Sequence, residues 1–316
     1  MTASTSLRPL GATGLSVSRV TLGGAPLGSM PENFGHEVAE ADAIALVQDV
    51  LRSGIRTIDT SNDYSGGRSE ERIGAGIAAF GGLPEDVLVI TKTDQRDGDY
   101  SGERVRRSIG ESTERLGIGP LPLVHLHDPE FHDFEAMTAP EGAVEALVQA
   151  RERGEVGHIG LAGGDVRAMR RYLDLGVFEV LLVHNRWTLV DRSAGPLLDR
   201  AASLGVGVVN AAVLGGGILA DESGRRTDYG YRPASAETLE AIARMREVCH
   251  RWDTTLAAAA LRFSTRDDRF ASTIVGISRP ERIPQTLDAA SLDRPQGFWD
   301  ELEALLPSPA NWLDAD

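Results

Sequence analysis

Residues 54–92 read GIRTIDTSNDYSGGRSEERIGAGIAAFGGLPEDVLVITK, and this stretch decides the fold. An apolar, β-branched run at 55–59 stops on Asp59, a polar segment follows, and a second run at 87–92 stops on Lys92. Runs of the same kind recur at 20–23, 121–126, 156–161, 180–183, 206–210 and 272–277, which makes eight. Stretches with helical spacing, at 37–53, 103–116, 142–153, 194–204 and 237–251, lie between most of them. Strands alternating with helices pair in parallel through right-handed crossovers, and eight such units close into a barrel in preference to an open sheet. The predicted fold is therefore an α/β, (β/α)8 TIM barrel spanning residues 1–316 as a single domain. A doubly wound dinucleotide fold is disfavoured, because Gly23, Gly24 and Gly28 after the first run do not make GxGxxG.

Ahead of the first barrel strand, LRPL (7–10), the turn at 11–14 and LSVS (15–18) read as a β-hairpin, expected to close the bottom of the barrel. Polar, Gly-rich connections at 29–36, 94–102, 129–140 and 221–233 follow strands and should gather on the catalytic face.

The composition, 41% hydrophobic and 25% charged, is that of a globular enzyme with a full core. A net charge of −15 argues against nucleic-acid or anionic-membrane partners, which select basic patches. The N-terminal residues show no signal-peptide pattern, and no apolar run reaches bilayer length. The single cysteine, Cys249, has no partner for an intrachain disulfide and reads as a buried inert thiol. These features lead to the expectation of a cytoplasmic chain.

The chemistry gathers at strand ends. A lysine ending an apolar strand either leaves the rim for solvent or is kept by a partner, and Asp59 on the adjacent strand supplies one. Tyr64 lies five residues beyond Asp59. A phenol beside that ammonium is expected to have its pKa lowered from about 10, as a tyrosine acid/base requires. The fourth run continues as VHLHDP (124–129), with His125 and His127 on one side of a strand, so that one of them can face the site.

In this order and at these spacings, IDTSNDYSGGRSEERIG (58–74), VLVITK (87–92), VHLHDP (124–129), VGHIGLAGG (156–164) and IVGISRPERI (274–283) resemble the aldo-keto reductases. The resemblance implies a catalytic tetrad of Asp59, Tyr64, Lys92 and His127, with His125 a neighbour. Tyr64 would give a proton to a carbonyl oxygen in reduction, or take one as phenolate in oxidation. His127 would orient the substrate oxygen toward C4 of the nicotinamide. Gly276, Ser278, Arg279 and Arg282 match the family's adenosine- and phosphate-binding stretch, where a helix N-terminus suits anions. The family's lysine near Gly276 is missing, so both NAD and NADP stay open. The carboxamide-binding positions fall on Ala162, Gly163 and His184, and further cofactor contacts on Asn210 and Leu214. The usual Ser-Asn pair is thus Ala-Gly here, and the aromatic residue that stacks on the nicotinamide falls at Ala211. Trp187 is the candidate to compensate and to touch substrate, beside a plain packing role.

These departures, with the opening LRPLGATGLSVSRVTLGGAPLG (7–28), resemble the branch with aldose 1-dehydrogenases, including L-fucose and L-galactose dehydrogenases, and pyridoxal 4-dehydrogenase. The resemblance implies oxidation of an aldose hemiacetal to its lactone. Asn33, Asp128, His132 and Asn185 are loop candidates for sugar hydroxyls. The alternatives are an NADPH-dependent reductase of aldehydes or ketones, a pyridoxal 4-dehydrogenase, a cofactor-binding regulatory subunit and, more distantly, a barrel hydrolase with a metal on His125 and His127. The expected partner is a small molecule, with no resident metal, and the chain is expected as a monomer or small homo-oligomer.

Overall fold

The computed structural model describes residues 7–31 and 35–315, so Asn33 lies outside the described residues. Every one of the eight runs forms a strand: β3 (Val20–Gly23), β4 (Thr57–Asp59), β5 (Leu88–Thr93), β6 (Leu121–His127), β7 (Val156–Gly163), β8 (Val180–His184), β9 (Gly207–Ala211) and β12 (Ser272–Gly276). They pair in parallel in the order β12-β3-β4-β5-β6-β7-β8-β9, and β9 meets β12 to close the barrel. Helices α1 (Glu40–Arg52), α2 (Arg68–Phe80), α3 (Gly102–Leu116), α5 (Ala143–Glu152), α6 (Val166–Leu173) and α7 (Gly195–Ser203) make the crossovers, with α10 (Arg282–Ala290) after the last strand. Between α3 and α5, the connection at 129–140 folds into a single 3-10 turn and the short α4 (Phe134–Thr138).

Side-chain alternation sorts each strand into two faces. On β5, Leu88 and Ile90 join the cluster inside the barrel, whereas Val89 belongs to the outer core and Thr91 donates to Glu70 of α2 at 2.6 Å. Lys92, two residues past Ile90, therefore projects inward at the C-terminal end. The same parity puts His125 and His127 inside on β6, two and four residues past the interior Leu123.

The opposite end is sealed by the predicted hairpin, β1 (Arg8–Pro9) against β2 (Ser16–Val17). Leu10 and Val17 are fully buried among Leu123, Val180 and Ala271. Gly11 has φ +58, and a Cβ there would lie 2.3 Å from the Gly207 backbone nitrogen, so the turn can lie this close to the foot of β9 only as glycine.

A satellite core departs from one helix per strand. Between β9 and β12 come a small hairpin, β10 (Asp228–Tyr229) and β11 (Arg232–Pro233), then α8 (Ala236–Arg251) and α9 (Leu256–Thr265). With α11 (Gln296–Glu303) they bury Met245, Cys249, Leu256 and Phe298. Cys249 is the inert thiol expected, since burial pushes it up to about 12. Among the described residues no helix is long and apolar enough to cross a membrane.

Candidate active site

Tyr64 stands on the loop that runs from β4 to α2, and backbone and side-chain bonds fix that loop. The Thr60 and Asn62 N–H groups donate to the carbonyls of Ile90 (2.9 Å) and Lys92 (3.2 Å), carrying the β4–β5 ladder past the strand end. The Asn62 side chain donates to the Ser108 carbonyl and Ser112 Oγ of α3, both at 3.2 Å. Arg115 donates to the Asn62 carbonyl at 2.9 Å and pairs with the buried Glu70 at 3.2 Å. Held this way, the loop presents the phenol at the mouth without relying on tyrosine's own packing.

Lys92 and Asp59 meet beneath it. Lys92 Nζ donates to Asp59 Oδ1 at 2.7 Å, to the Thr60 carbonyl at 2.6 Å and to Tyr64 Oη at 3.1 Å. Lys92 and Asp59 are 2% and 3% exposed, so neither charge would be kept here without the other. Burial disfavours the Lys92 ammonium, but Asp59 and Tyr64 more than offset it and hold the proton above the ordinary lysine value. Tyr64 differs from the sequence expectation. Burial raises its phenol above 10, and the opposing pull of Lys92, partly cancelled by Asp59, is smaller. The phenol therefore keeps its proton.

His127 faces Tyr64 edge-on, with ring centroids 5.8 Å apart. Its Nδ1 is 2.6 Å from Asp94 Oδ1 and 3.1 Å from Ser61 Oγ. Asp94 in turn accepts from Ser61 Oγ and, at 2.9 Å, from the Asp63 N–H. Burial works against the charge on His127, yet Asp94 and Asp128 raise it above the ordinary histidine value. Below, His125 is fully buried and packs over Gly160, where a Cβ would meet its ring at 2.2 Å. Burial, with Lys92 and His127 adding to it, keeps His125 neutral. Of the two histidines, His127 is the one beside the phenol.

The cofactor candidates fall in two places. Arg279 and Arg282 are exposed at the N-terminus of α10, which has no side-chain cap, and Ser278 bonds His36 at 2.9 Å. On the other side, Ala162 and Gly163 end β7 and His184 ends β8. His184 Nε2 lies 3.6 Å from Asp128 Oδ1, an oxygen with no hydrogen-bond partner. A Cβ on Gly163 would meet Glu130 Oε2 at 2.4 Å, so that carboxylate occupies the room a side chain would need. Glu130 Oε1 accepts from the N–H groups of Gly164 (2.5 Å) and Asp165 (3.2 Å), while Oε2 is buried without a partner. Orphaned acceptors are what a ligand with amide donors can use, and an uncapped helix N-terminus with two arginines suits phosphates. The residues present fit a nicotinamide dinucleotide.

Two candidates lie elsewhere. Trp187 does not cover the mouth. Its indole stacks 6.3 Å from Phe263 and lies tilted 6.4 Å from Phe270, with the guanidiniums of Arg269 and Arg192 at 4.2 and 5.4 Å. Asn210 is fully buried on the outer face of β9, donating to the Trp187 carbonyl and Ser264 Oγ, both at 2.9 Å. The half-buried Leu214 packs against both the outer and satellite cores. Of the sugar-binding candidates, His132 packs edge-on to Tyr100 at 5.0 Å, and Asn185 is fully buried beside His184.

Sequence reasoning passed over Asp94, Glu130 and Tyr231. Asp94 was legible, because it repeats the inward parity of Lys92 two residues on. Tyr231 was not: it sits in the β10–β11 turn, 66% exposed at φ +69 and within electrostatic reach of Asp128. The metal alternative loses its ligands. Among the described residues the one three-ligand group is Asp128, Glu130 and His184, which includes neither His125 nor His127.

The aldo/keto reductase family model matches residues 19–307. L-galactose dehydrogenase of Arabidopsis thaliana is 33% identical, covering 96% of this chain and 95% of the relative. D-threo-aldose 1-dehydrogenase of a Pseudomonas species is 31% identical, covering 94% and 97%. Pyridoxal 4-dehydrogenase of Microbacterium luteolum is 30% identical, covering 94% and 96%. A solved aldo-keto reductase from Bacillus halodurans, in its holo form, superposes with a TM-score of 0.77 at 19% identity, covering 98% of this chain and 99% of that one, a likeness of fold alone.

Proposed function

Because this chain belongs to the aldo/keto reductase family, whose members are oxidoreductases using nicotinamide cofactors, we propose that it oxidises an aldose to its lactone. The hydride would leave the anomeric carbon of a sugar such as L-galactose or L-fucose for NAD or NADP. The reading rests on a single observation: a phenol bonded to a buried, charged lysine at 3.1 Å, with an imidazole edge-on to it, at the mouth of the barrel. Relatives at 31–33% identity named for aldose and L-galactose oxidation support the substrate class.

Tyr64 and His127 bind the reacting oxygen, and Lys92 with Asp59 sets the charge behind the phenol. Gly276, Ser278, Arg279, Arg282 and the α10 N-terminus would hold the adenosine and phosphates. Ala162, Gly163 and His184, joined by Glu130, would hold the carboxamide end. When bound, the nicotinamide supplies a hydride acceptor or donor at C4. The chain acts as a single barrel domain.

A second reading, reduction of an aldehyde or ketone, is favoured by the raised Tyr64 phenol, which is poised to donate. Incubating the protein with NAD+ or NADP+ and a panel of aldoses and pyridoxal, then with NADH or NADPH and aldehydes, decides between them. Nicotinamide absorbance should rise fastest with an aldose. Turnover confined to aldehyde reduction, or to pyridoxal, would overturn the lactone-forming reading.

A further inference from the structure

We propose that Asp128 and Glu130 make this mouth select the oxidised, positively charged nicotinamide over the reduced, neutral one, with Asp128 carrying most of the preference. The inference rests on the reading of the mouth as a nicotinamide site and goes beyond it by assigning the redox form the site holds.

The placement of two unpaired carboxylates carries it. Asp128 follows His127 directly and takes φ +44, a left-handed conformation that side-chain-bearing residues other than aspartate and asparagine rarely adopt. Its N–H donates to the Ala162 carbonyl at 2.7 Å and its carbonyl accepts from the Phe131 N–H at 3.3 Å, so the turn is tied on both sides. The turn leaves Oδ1 between two imidazoles, 3.8 Å from His127 Nε2 and 3.6 Å from His184 Nε2, both beyond hydrogen-bond reach. That oxygen is buried and has no hydrogen-bond partner. His127 stands beside the phenol, and His184 occupies a carboxamide-binding position of the family. A ring that joins those two places passes Asp128.

Glu130 adds a second charge. Its Oε1 is committed to the Gly164 and Asp165 N–H groups, while Oε2 is buried without a partner against Gly163. One ligand atom from each of Asp128, Glu130 and His184 lies within 4.8 Å of the others. Among the described residues neither carboxylate pairs with a lysine or arginine. The other acids at the mouth are matched, Asp59 by the Lys92 ammonium and Asp94 by the His127 imidazole, and the nearby Arg186 is taken by Asp314. Ala162 and Gly163 bring no polar side chain to this place. The surplus charge facing the carboxamide end is therefore negative.

The two redox forms of the cofactor share their adenosine, ribose and phosphates, so whatever α10 contributes cancels in the ratio of their affinities. They differ by one positive charge on the ring. A carboxylate beside a unit charge in a partly solvated cleft is worth roughly tenfold in affinity. Such a site loads with oxidised cofactor and lets the reduced form leave, which suits an enzyme working in the oxidative direction.

The test is the ratio of dissociation constants, Kd(reduced) over Kd(oxidised), measured by calorimetry in chelator-treated buffer at low salt with NADH and NAD+ and with NADPH and NADP+. Asp128→Asn removes one charge and keeps a residue suited to the left-handed turn. The ratio should fall roughly tenfold in that variant, mostly through weaker binding of the oxidised form. Glu130→Gln, whose amide oxygen can still accept from the Gly164 N–H, should lower the ratio by about two- to fivefold. Asp49→Asn, on the exposed part of α1, changes net charge by the same unit and should leave the ratio in place. Retained binding of the reduced form shows that each variant is folded. A ratio unmoved by Asp128→Asn, or moved as much by Asp49→Asn, overturns the proposal. If neither form binds the unmodified protein, the cofactor reading falls together with the proposal; if both bind and the ratio does not respond, the proposal alone falls. No aldose enters these measurements, so the aldose reading stands or fails separately.

Discussion

The two ends of this barrel are built from the same eight strands and hold opposite inventories. At the N-terminal end Leu10 and Val17 of the hairpin plug the barrel, and they cluster with the interior Leu123, Val180 and Ala271. At the C-terminal end, two to four residues further along the same strands, the interior positions become Lys92, His125 and His127. Some acceptors there, Asp59 Oδ2, Asp128 Oδ1 and Glu130 Oε2, have no partner. Apolar closure lowers the free energy of the fold, and the unsatisfied polar end is where that stability is given up for chemistry. Stability and activity should therefore separate along the barrel axis.

The largest test of that separation is Tyr64→Phe. Turnover on an established substrate should fall by roughly 10²–10⁴-fold with the melting temperature held, because one hydroxyl is lost from a site whose loop is fixed by other bonds. Full turnover in that variant would remove the phenol from the chemistry. Leu10→Ala should do the reverse, lowering unfolding free energy by about 2–5 kcal/mol in denaturant melts while kcat is retained. A large loss of kcat there would show that the bottom plug shapes the mouth.

A pH series sharpens the contrast. His127 is raised above the ordinary histidine value by Asp94 and Asp128 against the cost of burial, so its charge persists past that value, and a limb of the pH profile of turnover should lie above pH 6.5. The linked stability has the matching sign. The His127 contribution is complete below the ordinary histidine value and is lost as pH rises through the raised one. The lowered Asp94 contributes above the ordinary carboxylate value and loses its share as pH falls through the lowered one. Asp94→Asn should flatten both in urea melts across pH.

Smaller effects belong to the rim. Tyr231→Ala should raise KM up to about tenfold with little change in kcat if the ring stacks on bound substrate or nicotinamide. Arg279→Ala and Arg282→Ala should weaken NADP+ against NAD+ by roughly two- to fivefold if either meets a 2′-phosphate, read as the ratio of dissociation constants. An unchanged ratio would leave both arginines as solvated rim charges.

Much of the site was legible because strand periodicity is a local property. Runs ending on Asp59 and Lys92 carry the ion pair in their spelling, and the alternation in VHLHDP puts His127 on the inner face. Asp94 follows from the same rule applied two residues past Lys92. Trp187 and Asn210 pack away from the phenol for different reasons, and for Trp187 this is the packing role the sequence left open. Trp187 lies three residues past the end of β8, but only packing against Phe263 and Phe270 turns the indole away from the mouth. Asn210 has outward parity on β9, which the local alternation already implied and the family match overrode. Glu130 and Tyr231 could not be found locally, since each reaches the site through a chain reversal.

What the sequence by itself determined is the closed eight-stranded barrel, its hairpin plug and the residue types at its mouth, because hydrophobic period and run length act over a few residues. What only the tertiary structure decided is which way those groups titrate. The sequence places a lysine beside a tyrosine and so argues for a lowered phenol. The fold half-buries that phenol at the mouth, and loss of water outweighs one ammonium shared with Asp59. Desolvation belongs to the whole enclosure and no residue spells it.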